Sequence, residues 1–227
     1  MSATGSSNLN LKGNRAVNIL TGNDDANTLD GGVGADTLIG GHGGDTYLID
    51  SLSDRITEYR DGGNDIAKIN IATANGTYTL DENVERVILT NKVAFNLIGS
   101  GQDNSLTGNA ANNSLTGGGG RDTFIFNTKP AAKNIDTITD FYSEDDSIHL
   151  SLSIFKALSL NQLSNDAFNS GAGMTTAQDA DDRIIYNTTT GALYYDPDGS
   201  VSKGKIIQFA TLSDHPDNVT AADFWVI

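Results

Sequence analysis

From residue 13 onward one apolar residue returns every nine positions: Leu20, Leu29, Leu38 and Tyr47, and later Leu106, Leu115 and Phe124. Each is the middle of a short run such as Thr37-Leu38-Ile39, preceded by six residues rich in Gly, Asn and Asp. Four blocks follow without a gap: GNRAVNILT (13–21), GNDDANTLD (22–30), GGVGADTLI (31–39) and GGHGGDTYL (40–48). The period returns in GSGQDNSLT, GNAANNSLT and GGGGRDTFI (99–125). Position 1 of every block is Gly, and glycines at positions 1, 2 and 4 permit positive φ and close backbone approach, so six residues make a turn. The remaining three form a strand whose middle side chain points one way. Two blocks then complete a coil of about 18 residues, with two parallel sheets packing their position-8 residues between them and turns stacked in register.

Outside the blocks the pattern changes. Residues 58–98 alternate apolar and polar positions over short runs, with turn signals at Asn75-Gly76 and Asp81-Glu82, and predict short strands. TFIFN and IDTITDFYSEDDSIHL, with Phe124, Phe126, Ile135, Ile138, Phe141, Ile148 and Leu150, continue the alternation. Ile154, Leu158 and Leu163 have helix-like spacing and predict short helices or loops. DRIIYNTTTGALYYDPDGS and KGKIIQFATL predict a hairpin and a further strand. The chain divides into a flexible N-terminus (1–12), a first repeat block (13–57), a β spacer (58–98), a second repeat block with its closing segment (99–150) and a C-terminal cap (151–227). The fold class is all-β: a parallel β-roll in two blocks, with a β-rich cap containing short helices.

Position 6 carries the candidate chemistry. It is Asn18, Asn27, Asp36 and Asp45 in the first block, then Asn104, Asn113 and Asp122. The degenerate block IDSLSDRIT (49–57) adds Asp54, directly over Asp36. Asp45 lies between Asn27 and Asp65, the latter in the glycine turn DGGND. Asp36 with Asp54, and Asp45 with Asp65, are the expected carboxylate pairs. Asp122 faces Asn104 on one side; on the other, Asp136, Asp140, Asp145 and Asp146 all lie within reach, because Asn127–Asn134 blurs the register. Ordinary solvated turn residues are an equal reading for Asp140 and Asp145. Asn supplies one carbonyl oxygen and no charge, so the Asn turns bind a cation weakly or stack without one.

GGVGADTLI and GGHGGDTYL match GGxGxDxUx, and the chain resembles the RTX family of hemolysin-type calcium-binding repeats. The Asn83-Val84-Glu85 spacer leading to Thr107-Gly108-Asn109 is similar to spacers between RTX blocks, and the segment after Thr123 to the closing segment of serralysin-like proteases. The resemblance implies several Ca²⁺ ions held between stacked turns. It puts the carboxylates of Asp36, Asp45, Asp54, Asp65 and Asp122 there, with Asn27 and the backbone at Gly32, Gly34, Gly41, Gly43, Gly118 and Gly120. Asp136, Asp140 and Asp146 are carried over as ligands of the last ions. Such an all-oxygen set suits a hard cation, calcium more than magnesium. The closing ADFWVI resembles the uncleaved signal of type I secretion substrates. The implied function is a secreted calcium-binding protein, extracellular or at the cell surface, with a structural, adhesive or matrix role. The alternative is an accessory module of a larger secreted enzyme, such as an alginate epimerase or a protease, with extracellular polysaccharide as a further partner.

Composition sharpens this. The 29 acidic residues comprise 25 Asp and 4 Glu, beside 25 Gly and 3 Pro, in a chain of net charge −15. Asp favours turns where Glu favours helices, so the acidity belongs to turns. The charge argues against nucleic acid and anionic membranes and for cations. Cys is absent, which excludes disulfides and thiolate zinc sites. No apolar run is long enough to span a bilayer. Met1–Asn8 lacks the basic and apolar regions of a cleaved signal peptide, so Sec-type export is not expected. His42, His149 and His215 are isolated, and no HExxH, GxSxG or Walker A motif occurs, so no catalytic activity is expected. Asp196-Pro197-Asp198-Gly199 has the acidic spacing that opens an EF-hand loop, without the closing Glu; a calcium loop and a plain turn are both open.

Overall fold

The computed structural model describes residues 7–199 and 206–227. Part of the expected N-terminal tail (1–6) and the start of the KGKIIQFATL strand lie outside them.

The described chain is an all-β solenoid. One wall is a ten-stranded sheet. Its parallel strands are Asn10–Lys12, Thr28–Asp30, Thr46–Ile49, Ile66–Ile69, Arg86–Leu89, Ser105–Thr107, Thr123–Phe126, Ser147–Leu150 and Phe224–Val226, with Asn161–Gln162 antiparallel at the far edge. The opposite wall is in two pieces. Ile19–Thr21, Thr37–Ile39 and Arg55–Thr57 form a three-stranded sheet, while Thr77–Thr79, Asn96–Ile98, Ser114–Thr116 and Asp136–Ile138 belong to an eight-stranded one. The two repeat blocks are therefore stretches of one continuous roll, and residues 58–98 supply coils of their own.

Register follows from the nine-residue period. Leu11, Leu29, Tyr47, Ala67, Val87, Leu106, Phe124, Ile148 and Phe224 stand directly over one another on the long wall. Leu20, Leu38 and Ile56 do so on the short sheet, and Tyr78, Leu97, Leu115, Ile138 and Leu212 on its neighbour. All these side chains are buried, so each position-8 residue fills the space between the walls. Because side chains alternate across a strand, a slip of one residue would expose the whole column; burial fixes the register.

The walls differ where the repeat is irregular. Between Asp45 and Asp65 the spacing is 20 residues rather than 18. The long wall absorbs this without losing pairing. The opposite wall does not: Arg55–Thr57 and Thr77–Thr79 belong to different sheets. Asp81 crosses the break, accepting from the Ile56 amide at 3.4 Å and the Tyr78 hydroxyl at 3.0 Å.

The cap is welded to the roll. Ile184–Asn187 and Ala192–Tyr195 form the expected antiparallel hairpin, and Ile207–Leu212 pairs with it on one side and with Asp136–Ile138 on the other. Phe155 packs edge-on against Tyr195 and Phe209, with ring centroids 5.0 and 5.3 Å apart. The helical spacing at Ile154, Leu158 and Leu163 gives no α-helix. Those residues pack inward from non-helical segments. Asn165–Ala167 and Ala221–Asp223 are single 3₁₀ turns, the only helical elements among the described residues.

Candidate metal centre

Each position-6 carboxylate has two oxygens to place. One oxygen accepts a hydrogen bond from the position-6 amide of the coil before it: Asp36 from Asn18 at 2.7 Å, Asp45 from Asn27 at 2.6 Å, Asp54 from Asp36 at 3.0 Å and Asp65 from Asp45 at 2.7 Å. The same ladder runs through the second block, where Asp122 accepts from Asn104 at 2.8 Å, Asp136 from Asn113 at 2.9 Å and Asp146 from Asp122 at 2.9 Å. This settles the register left open beyond Asp122. Asp146 stands over Asp122 and Asp136 over Asn113, while half-buried Asp140 accepts from the amides of Gly117 and Gly118 at 2.9 Å each.

The ladder also explains the constant glycine at position 1. A methyl group on Gly31 would overlap the Asp36 carboxyl, and one on Gly117 the Asp122 carboxyl. Position 2 has a different requirement: Gly32 and Gly41 have φ of 78° and 110°, where a side chain is strained. Gly43, Gly118 and Gly120 share positive φ, while Gly34 packs close against the Ala16 carbonyl. The stacked turns thus lie backbone on backbone.

The second oxygen distinguishes the carboxylates. Asp54 uses it on the amides of Asp50 and Ser51, and Asp146 on the amide of Tyr142. Asp36, Asp45 and Asp65 leave Oδ2 buried with no hydrogen-bond partner, as Asn27 leaves its Oδ1. Asp45 and Asp65 group with a third buried carboxylate, Glu58. One oxygen of each of these residues lies within 4.8 Å of the others, and all three side chains are buried. Glu58 Oε2 accepts from the Tyr59 amide at 3.1 Å, leaving Oε1 unpartnered. The Tyr47 hydroxyl, also buried and unpartnered, completes the group. A methyl group on Gly40 would overlap Tyr47 Oη, Asp45 Oδ2 and Glu58 Oε1 together, so these oxygens converge on the space above that glycine.

The electrostatics are those of crowded carboxylates without a cationic side chain beside them. Two unit charges at that separation repel by roughly 3.5 kcal/mol at an effective dielectric near 20. Burial pushes Glu58 up to about 8, with the charges of Asp65 and Asp45 adding to it. Burial likewise raises Asp65 to about 6 and lifts Asp45. No Lys or Arg is paired with any of the three among the described ion pairs, which are Lys12–Asp30 and Arg121–Asp103. In the second block burial raises Asp122 to about 7, with Asp146 and Asp140 contributing, and Asp136 to about 7. The donor set at Asp45, Glu58 and Asp65 is all oxygen, anionic and unpartnered, and fits a hard metal ion.

Sequence reasoning placed Asp45 beside Asp65 and missed Glu58 and Tyr47. A signal existed. Counting one residue past IDSLSDRIT puts Glu58 at position 1, where Gly40 stands a coil earlier. Its side chain therefore reaches back over Gly40 toward Asp45. In the cap, Asp196 is fully buried: its Oδ1 accepts from the amides of Asp198 and Gly199 at 3.1 Å, as in an Asx turn, and its Oδ2 is buried without a hydrogen-bond partner.

No protein-family model matches the chain, and no curated protein does. No helix among the described residues is long and apolar enough to cross a membrane.

Proposed function

We propose that the protein is a secreted calcium-binding β-roll of the RTX kind, whose folding is completed by calcium after export by a type I apparatus. Its role is structural, adhesive or matrix-forming rather than catalytic. The observation that carries this reading is the division of labour at position 6: one oxygen holds the coil-to-coil ladder, and at Asp36, Asp45 and Asp65 the other is buried without a partner.

Calcium would be held by Asp36, Asp45, Asp65 and Asp122, with the turn backbones beside them, and would supply positive charge to carboxylates that otherwise repel. Buried, unpaired carboxylates cost several kcal/mol each, a large share of a domain's roughly 5–15 kcal/mol of stability. An ion site contributes about 2.7 kcal/mol when the ion is 100-fold above its dissociation constant. Extracellular modules bind calcium at about 10⁻⁴ to 10⁻³ M, so a calcium-poor cytoplasm leaves the sites empty and the outside fills them. Circular dichroism in chelator and then in millimolar calcium tests this. The expected result is a β spectrum that develops on calcium addition; a fully native spectrum in chelator would sink the reading.

A further inference from the structure

We infer that Glu58, which lies outside the repeat consensus, and the hydroxyl of Tyr47, which the apolar position 8 does not require, complete a cation site with Asp45 and Asp65 inside the wall of the roll. This inference rests on calcium being the roll's ligand and concerns where one ion sits and what holds it.

The argument starts from the column of position-1 residues. Gly22 and Gly40 have no side chain, and the position-6 residue of their own block folds over each of them. At the next step the column carries Glu58 instead. Its carboxylate extends back over Gly40, into the space that the missing Gly40 side chain leaves. The position-8 column does something similar. Leu20, Leu29 and Leu38 end in methyl groups, whereas Tyr47 carries a hydroxyl at the same place. Tyr47 is 0 % exposed, and a buried hydroxyl without a partner is unfavourable unless something binds it. Its oxygen points to the Gly40 position shared by Asp45 Oδ2 and Glu58 Oε1. Two independent substitutions in two columns thus bring oxygen to one point, where Asp45 and Asp65 already offer theirs. The Asp36–Asp54 pair has no such additions: Asp54 has both oxygens on amides, and Leu38 replaces the tyrosine.

Three carboxylates and a phenolic hydroxyl select a hard cation of charge two or more, calcium in the extracellular setting. Terbium(III) is a suitable probe because its emission is sensitised by an adjacent phenol. Full-length protein titrated with terbium under tyrosine excitation should show sensitised emission that calcium displaces. Tyr47→Phe should remove most of one saturable component while leaving the calcium-induced β spectrum in place. Glu58→Gln should weaken that component by roughly 10-fold or more, because ligand charge sets affinity in oxygen cages. Gly40→Ala, which changes no charge, should abolish it by filling the space. If calcium still folds the protein but all three variants bind terbium with wild-type emission and affinity, this site is wrong and the calcium reading stands. If wild type binds neither ion, both fall. Should Glu58→Gln or Gly40→Ala fail to fold, the emission of Tyr47→Phe decides alone, since that change keeps the core volume.

Discussion

The requirement for glycine in this chain has separate causes that one substitution type can tell apart. At Gly31 and Gly117 the constraint is space: a Cβ would collide with the position-6 carboxyl that holds the coil ladder. Gly101 has nothing within 4 Å of a would-be Cβ and no positive φ. In calcium, Gly31→Ala and Gly117→Ala should each lower stability in urea unfolding by about 1–3 kcal/mol, the usual cost of overpacking. Gly101→Ala should be neutral or stabilise by about 0.4–1 kcal/mol, through the unfolded chain alone. Equal effects at all three positions would refute the steric account. The glycines, the buried position-8 residues and the Asp pairs were legible in the sequence because each recurs at a fixed period. Glu58 and Tyr47 were not, because each is an exception to its column, and an exception has meaning only when the neighbouring coil is known.

At the scale of the strand and its turn, the second block shows why register had to be observed. Residues 127–134 lengthen the coil, so Asp122 and Asp146 are 24 residues apart yet stand in the same ladder. Sequence spacing alone left Asp136, Asp140 and Asp146 equivalent; hydrogen bonding separates them. Asp146 joins two coils, accepting from Asp122 and Tyr142 amides at 2.9 Å each, and is buried. Asp140 caps Gly117 and Gly118 from a half-exposed position. Asp146→Ala removes two charge-assisted bonds and leaves buried amides unpaired, and should cost about 3 kcal/mol. Asp140→Ala, where water can replace the carboxylate, should cost about 1 kcal/mol. Urea midpoints measured in saturating calcium check the order, and a larger loss at Asp140 would reverse the assignment of roles. The same comparison explains why the opposite wall breaks after Thr57 when the long wall does not. The long wall keeps a paired strand in every coil, whereas the irregular turns on either side of Ile66–Ile69 displace Thr77–Thr79, and a side chain, Asp81, bridges the gap.

For the whole molecule, the carboxylate column ties stability to protons and, on the proposed reading, to calcium. Without calcium, burial raises Glu58 to about 8, Asp122 and Asp136 to about 7 and Asp65 to about 6, all above ordinary carboxylate values. The folded chain then holds protons that the unfolded chain has released. A group whose folded pKa is raised contributes its stability below the unfolded pKa and loses it as pH climbs through the folded value. The calcium-free protein should therefore be most stable at or below about pH 4, the unfolded carboxylate range, and weaken steadily to about pH 8. The net charge of −15 acts in the same direction, since self-repulsion grows as the carboxylates ionise. Saturating calcium should remove or invert this slope, because an ion on the carboxylates favours their charged form and must displace the protons to bind. The β signal of the calcium-free protein followed across this pH range, and urea melts in 10 mM calcium at matched ionic strength, give both slopes. If the calcium-free protein instead gains stability from pH 5 to pH 8, the buried carboxylates already have compensating partners, and the roll would stand without an ion.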